Sequence, residues 1–174
     1  MVNPSSPQQT EAQRQDLARL LFAVPDINAY AVLDGASNPA LLDHLQADQP
    51  EFVCLYRGEL APDVAKCAPY LIRLVQGTPF AQWIIDNCLG KHWGIFALSR
   101  ADQRGLRQHF RKFNMVYDPD GNRSLLFRYY DPRVLRIFLP SCDKKQMAEF
   151  FGPVDAFFAE AEGGDGYLRF DRTV

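Results

Sequence analysis

Several signatures of chemistry are missing from this sequence. It contains neither Gly-x-Gly-x-x-Gly nor Gly-x-x-x-x-Gly-Lys-[Ser/Thr], so the two common glycine-rich phosphate cradles are absent. No Gly-x-Ser-x-Gly nucleophile elbow is present either. Cysteine is sparse: the four stand at 54, 67, 88 and 142, and no two have Cys-x-x-Cys spacing. His44, His92 and His109 are equally scattered, so no ligand pair for a metal can be written. No apolar run approaches the roughly 20 residues that span a bilayer. The start, Met-Val-Asn-Pro-Ser-Ser-Pro, lacks the basic residues and apolar run of an export signal. The formal net charge is only −2, which argues against nucleic acid or a membrane as an obligatory partner. These absences predict a cytoplasmic protein without metal or cofactor, with reduced, buried thiols, as a monomer or weak oligomer.

What is present suits one well-filled domain. Of 174 residues, 47% are hydrophobic and 13 are Phe, and a chain of this size buries enough surface to need no staple. Residues 1–9, rich in Pro, Ser and Gln, read as a disordered lead, and 10–174 as a single α/β domain. Thr10 and Gln13 form a capping box before an amphipathic helix with Leu17, Leu20, Leu21 and Val24. Strands are expected at 28–34, 51–57, 69–75, 92–98 and 115–117. Helices are expected after Asn38, Thr78, Ser99 with Asp102, Asp131 and Asp143. Strand, helix and strand over 28–57 predict a parallel βαβ pair with a right-handed crossover. Asp118-Pro-Asp-Gly-Asn122 is a turn, whose return strand should run from Leu125 to Tyr130. Val154–Ala161 and Tyr167–Asp171 suit a terminal hairpin, and the first of them also suits a helix. The class is therefore α/β, with a mixed sheet of about five to six strands and helices on both faces.

Three groups of residues invite a functional reading. The first is the corner Arg128, Tyr129, Tyr130, Asp131, Pro132 and Arg133. Asp131 caps a helix and Pro132 takes its first position, where a missing N–H costs nothing. Arg128 lies amid aromatic residues and needs an acceptor, with Asp34 and Asp131 as candidates. Such a corner is either an ion-paired joint of the fold or a surface for a protein partner. The second group is Arg100, Arg104, Arg107 and Arg111, a basic stripe that reads as a solvated helix face or as docking for an acidic partner. The third is Asp34 at a strand end, where ligands of α/β sheets gather. With the Arg128/Asp131 corner it allows a small phosphoester hydrolase or phosphoryl-transfer enzyme, although Asp34-Gly35 is also a plain turn.

Five pieces of the chain resemble one family, the adaptor chaperones of bacterial type VI secretion. They are Tyr30-Ala-Val-Leu-Asp-Gly-Ala36, Ala68-Pro-Tyr-Leu71, Trp93-Gly-Ile-Phe96, Leu126-Phe-Arg-Tyr-Tyr-Asp-Pro-Arg133 and Phe150-Phe-Gly-Pro153. They occur in the family's order over about residues 28–153, and the Phe-Arg-Tyr-Tyr-Asp-Pro-Arg corner is the most specific. The resemblance singles out Tyr30, Asp34, Gly35, Pro69, Tyr70, Trp93, Gly94, Asp131, Pro132, Gly152 and Pro153 as motif positions. It implies a binding protein without turnover, one that holds a secreted effector and loads it onto the spike tip protein.

Overall fold

A computed structural model describes residues 10–172. The expected disordered lead at 1–9 lies outside the described residues. A six-stranded sheet organises the chain, with strand order β2-β3-β1-β4-β7-β8. Its strands are β1 (Asn28–Asp34), β2 (Phe52–Cys54), β3 (Pro69–Leu74), β4 (Gly94–Ser99), β7 (Val154–Glu160) and β8 (Tyr167–Asp171). The helices are α1 (Glu11–Phe22), α2 (Leu41–Asp48), α3 (Pro62–Cys67), α4 (Pro79–Asn87), α5 (Gln103–Phe110), α6 (Pro132–Ser141) and α7 (Lys144–Phe151). A separate two-stranded sheet joins β5 (Met115–Asp118) to β6 (Arg123–Leu126).

Period-2 alternation divides the core into two layers. Ala29, Ala31 and Leu33 of β1 face α1, α2 and α4, packing with Leu17, Leu41, Phe80 and Ile84. Tyr30 and Val32 face α5, α6 and α7, packing with Leu106, Phe110, Leu135 and Phe151. Helices thus cover both faces, as expected. The caps form where the sequence places them except at α2, which starts at Leu41 after Ala40, without a side-chain cap, and not after Asn38. Thr10 and Asp143 make complete capping boxes with Gln13 and Gln146, and Thr78, Asp102 and Asp131 accept from N-terminal backbone amides.

The predicted parallel βαβ pair does not form. β1 is flanked by β3 and β4, both antiparallel to it, and β2 pairs only with β3 at the sheet's edge. The reason lies in the strands themselves. β3 buries residues on both faces, while β2 is three residues long with Phe52 exposed, so β3 takes the interior place. Every neighbouring pair in the sheet is antiparallel. α3 lies between β2 and β3, with Pro62 in its first turn. β7 is a strand, and with β8 it forms the terminal hairpin.

The return strand also ends sooner than expected. β6 stops at Leu126, where the Phe127 amide turns to the Asn114 carbonyl at 2.9 Å. The chain then folds over itself, with Asp131 N–H on the Arg128 carbonyl at 3.0 Å. Tyr129 and Tyr130 consequently enter the same core layer instead of alternating across a strand.

Candidate functional site: the arginine corner at the sheet end

Asp34 ends β1 and is buried, and its carboxylate is fully engaged. Oδ1 accepts from the Ala36 amide at 3.0 Å, and Oδ2 from the Ser37 hydroxyl at 2.8 Å. The Arg128 guanidinium completes the set through a direct ion pair to Oδ2. Of the two candidate acceptors Arg128 thus takes Asp34. Burial works against the Arg128 cation, but the hydrogen bond and charge of Asp34 outweigh it and hold its pKa above the usual value.

Asp131 instead serves its own helix. Its carboxylate accepts from the Arg133 amide at 2.9 Å and from the Arg133 guanidinium at 3.0 and 2.8 Å. Burial raises the Asp131 pKa, but these bonds and the Arg133 charge lower it more, leaving it below the ordinary value. The site extends to two residues that sequence reasoning passed over. Arg136 donates to the Glu160 carbonyl at 2.6 Å. Glu160, buried at the end of β7, accepts from the Gly90 and His92 amides at 2.8 and 3.1 Å and pairs with the His92 ring. Arg136 lies one turn beyond Arg133 on α6, a spacing that marks a shared helix face.

Four of the five family-like pieces meet at this end of the sheet, while Gly152 and Pro153 lead into β7 at the opposite end, beside Ser99. The Asp34 amide donates to the Trp93 carbonyl at 2.8 Å, and the Gly35 amide to Ala68 at 3.0 Å. A Cβ on Gly35 would press on the Lys66 carbonyl and lie 2.9 Å from that of Ala68, so only glycine fits between the segments. Tyr70 follows Pro69 at the start of β3 and bonds the Ala65 carbonyl at 2.8 Å, and Tyr30 bonds that of Ala101 at 2.9 Å. Gly94 lies against the Val32 carbonyl, and Gly152, before Pro153, has φ +47 with His109 where a Cβ would stand. These are joints between elements.

The partner-contact assignments need correction at several positions. Tyr129 and Tyr130 are 0% and 1% exposed and fill the core, so neither presents a surface. Burial pushes both phenol pKa values up. Arg128 and Arg133 keep 40% and 54% of their side chains in solvent while ion-paired, and Ile137 on α6 is 76% exposed. The basic stripe is shorter than its spacing suggests. Arg100 precedes α5 and Arg111 follows it as the C-cap. The Arg111 guanidinium clamps the carbonyls of Cys54, Leu55 and Tyr56 at 3.0, 3.2 and 2.7 Å. Arg100, Arg104 and Arg107 remain at least partly open to solvent. The thiols also differ from expectation: all four are free, but Cys67 is exposed, and only Cys88 is fully buried. His44 on α2 stacks on Trp83 with ring centroids 3.6 Å apart.

Two surface depressions of about 370 and 360 Å³ are present, one between α1 and the start of β8, the other next to the Asp34 turn at Gly35, Ala36, Pro39 and Cys67. Neither is lined by Asp34, Arg128 or Asp131. Among the described residues no cluster of three metal-ligating side chains occurs, and no helix is long and apolar enough to cross a membrane.

Residues 29–149 match the model of a family described as a domain of unknown function, DUF4123. The chain belongs to the DUF4123 family. This family is associated with type VI secretion effectors. No curated protein and no solved structure matches the chain. The DUF4123 match spans β1 to α7, and so contains Asp34, the Arg128–Arg133 corner and the basic stripe. Glu160, which secures Arg136 and His92, stands outside it.

Proposed function

We propose that this DUF4123 domain is an adaptor without enzymatic turnover, which binds a type VI secretion effector and links it to the spike tip protein for loading. The observation that carries this reading is the closure of the one candidate acid site. Asp34 is buried and bonded to Ala36, Ser37 and Arg128, and the depression that opens beside Gly35 and Ala36 is lined by neither the Asp34 nor the Arg128 side chain. Family membership supports the same conclusion. The adaptor works in the cytoplasm as a monomer or weak oligomer and uses no cofactor, nucleic acid or membrane.

An adaptor must grip cargo and carrier at once, and two unlike surfaces suit that need. One is the solvent side of the corner, where Arg128, Arg133 and Ile137 are exposed; arginine is enriched in interface anchors. The other is the stripe of Arg100, Arg104 and Arg107, which would steer an acidic partner and make association salt-sensitive. The test is reconstitution with the effector and spike tip protein of the same host, by co-purification and calorimetry. R104E/R107E weakens one contact and R133E the other, while the fold survives. Binding of neither protein, together with Asp34-dependent phosphoester hydrolysis, would replace the adaptor with the enzyme reading.

A further inference from the structure

The β5–β6 hairpin stands apart from the six-stranded sheet and pairs only with itself. Met115 lies opposite Leu126 on one face, and Val116 opposite Leu125 on the other. With Tyr117, these side chains are 38% to 63% exposed, so both faces of the hairpin are apolar and open. An isolated two-stranded hairpin is marginal in water, and clustered exposed apolar groups mark interaction sites.

Charge indicates what covers it. The hairpin's root is bolted to the end of α5, since the Leu55 carbonyl accepts from both Arg111 Nε at 3.2 Å and Asn114 Nδ2 at 2.9 Å. Arg57 and Arg107 are near enough to Arg111 that, after burial, their charges further lower its pKa. Lys112 follows directly. Among the described residues, none of these four cations has a carboxylate within ion-pairing distance. The hairpin's own Asp118 is paired with Arg123 at 3.5 Å, leaving exposed Asp120 at the far turn.

We infer that the β5–β6 hairpin is a docking surface for an acidic protein segment, whose apolar side chains cover Met115, Val116, Tyr117, Leu125 and Leu126 and whose carboxylates meet the cations at the root. A second copy meeting it hairpin to hairpin matches poorly, because its hairpin offers exposed Asp120 alone against Arg57, Arg107 and Lys112. The inference rests on the adaptor reading in taking this segment to belong to the partner that the basic stripe attracts.

The experiment uses the full chain with the effector and the spike tip protein, by calorimetry at two salt concentrations. V116S/L125S strips one face of the hairpin, and R57E/R107E reverses the root. Thermal melts of both variants establish that the main sheet is intact. V116S/L125S is expected to weaken one partner by about ten-fold or more, a hot-spot-sized loss. R57E/R107E weakens that same partner and flattens its salt dependence, and the other partner is unaffected. Unchanged affinities for both partners, or losses that fall on different partners, overturn the inference and leave the adaptor reading standing. A wild-type dimer in sedimentation that V116S/L125S dissolves also overturns it, in favour of a second copy. If the wild type binds neither protein, both readings fall.

Discussion

Replacing Arg128 with alanine asks how much of the corner is architecture. The substitution leaves the Asp34 carboxylate, with 2% of its side chain exposed, without its cation. Removing one partner of a fully buried pair costs about 3–5 kcal/mol, while an exposed pair contributes about 0–1. The present pair is asymmetric. Arg128 keeps 40% of its side chain in solvent, which screens it, and Asp34 retains the Ala36 amide and Ser37 hydroxyl. A loss of about 2 kcal/mol follows. For a chain of this size that is a fall of about 4–8 °C in melting temperature. The assay is urea denaturation of the wild type, R128A, D34N and the double variant, which isolates the coupling between the two residues. R133A is the control: its pair is local to the α6 cap and more exposed, so it should cost under about 1 kcal/mol. An unchanged midpoint for R128A, or a larger loss for R133A, would refute the reasoning and make Arg128 a surface residue first.

Two further outcomes follow from the buried side chains. Burial lowers the His109 pKa and Lys112 adds to this, against the hydrogen bond to the Phe150 carbonyl at 2.7 Å. A histidine depressed in the folded state binds its proton more readily when unfolded, so stability is full above about pH 6.5 and falls with pH towards the folded value. Denaturation midpoints should therefore drop between pH 7 and 5, less steeply in H109Q; a rising midpoint contradicts this. Thiol titration should find Cys67 reacting at once in the native protein. Cys88, buried with its pKa pushed up to about 12, should react only after unfolding, when four groups are counted.

Much of the fold was legible because its signals are local. The capping residues Thr10, Thr78, Asp102, Asp131 and Asp143 satisfy amides a few positions away, and neighbouring sequence reveals them. Strand order was not, since nothing near β1 records that β3, from beyond α2 and α3, will lie against it. The site divides in the same way. That Arg128 needs an acceptor follows from its aromatic neighbours, but the choice of Asp34 over Asp131 is made by tertiary contacts. Burial of both Tyr129 and Tyr130 escaped an alternating pattern because a turn, not a strand, carries them. Arg111 looked like one rung of a surface stripe, and only the position of Leu55 identifies it as a clamp.

The place of β7 has a consequence for how the domain is made and cut. β7 lies between β4 and β8, so β4, an interior strand, borrows one of its two neighbours from the last stretch of the chain. On the ribosome, its backbone donors and acceptors must wait with one side bare until Val154–Glu160 emerges. The span that matches the family model ends at residue 149, before that strand. A fragment trimmed to those borders would lose β7 and β8 and turn β4 into an apolar, unprotected rim, the kind of edge that recruits other chains. The unit that sequence comparison delimits is therefore smaller than the unit that folds.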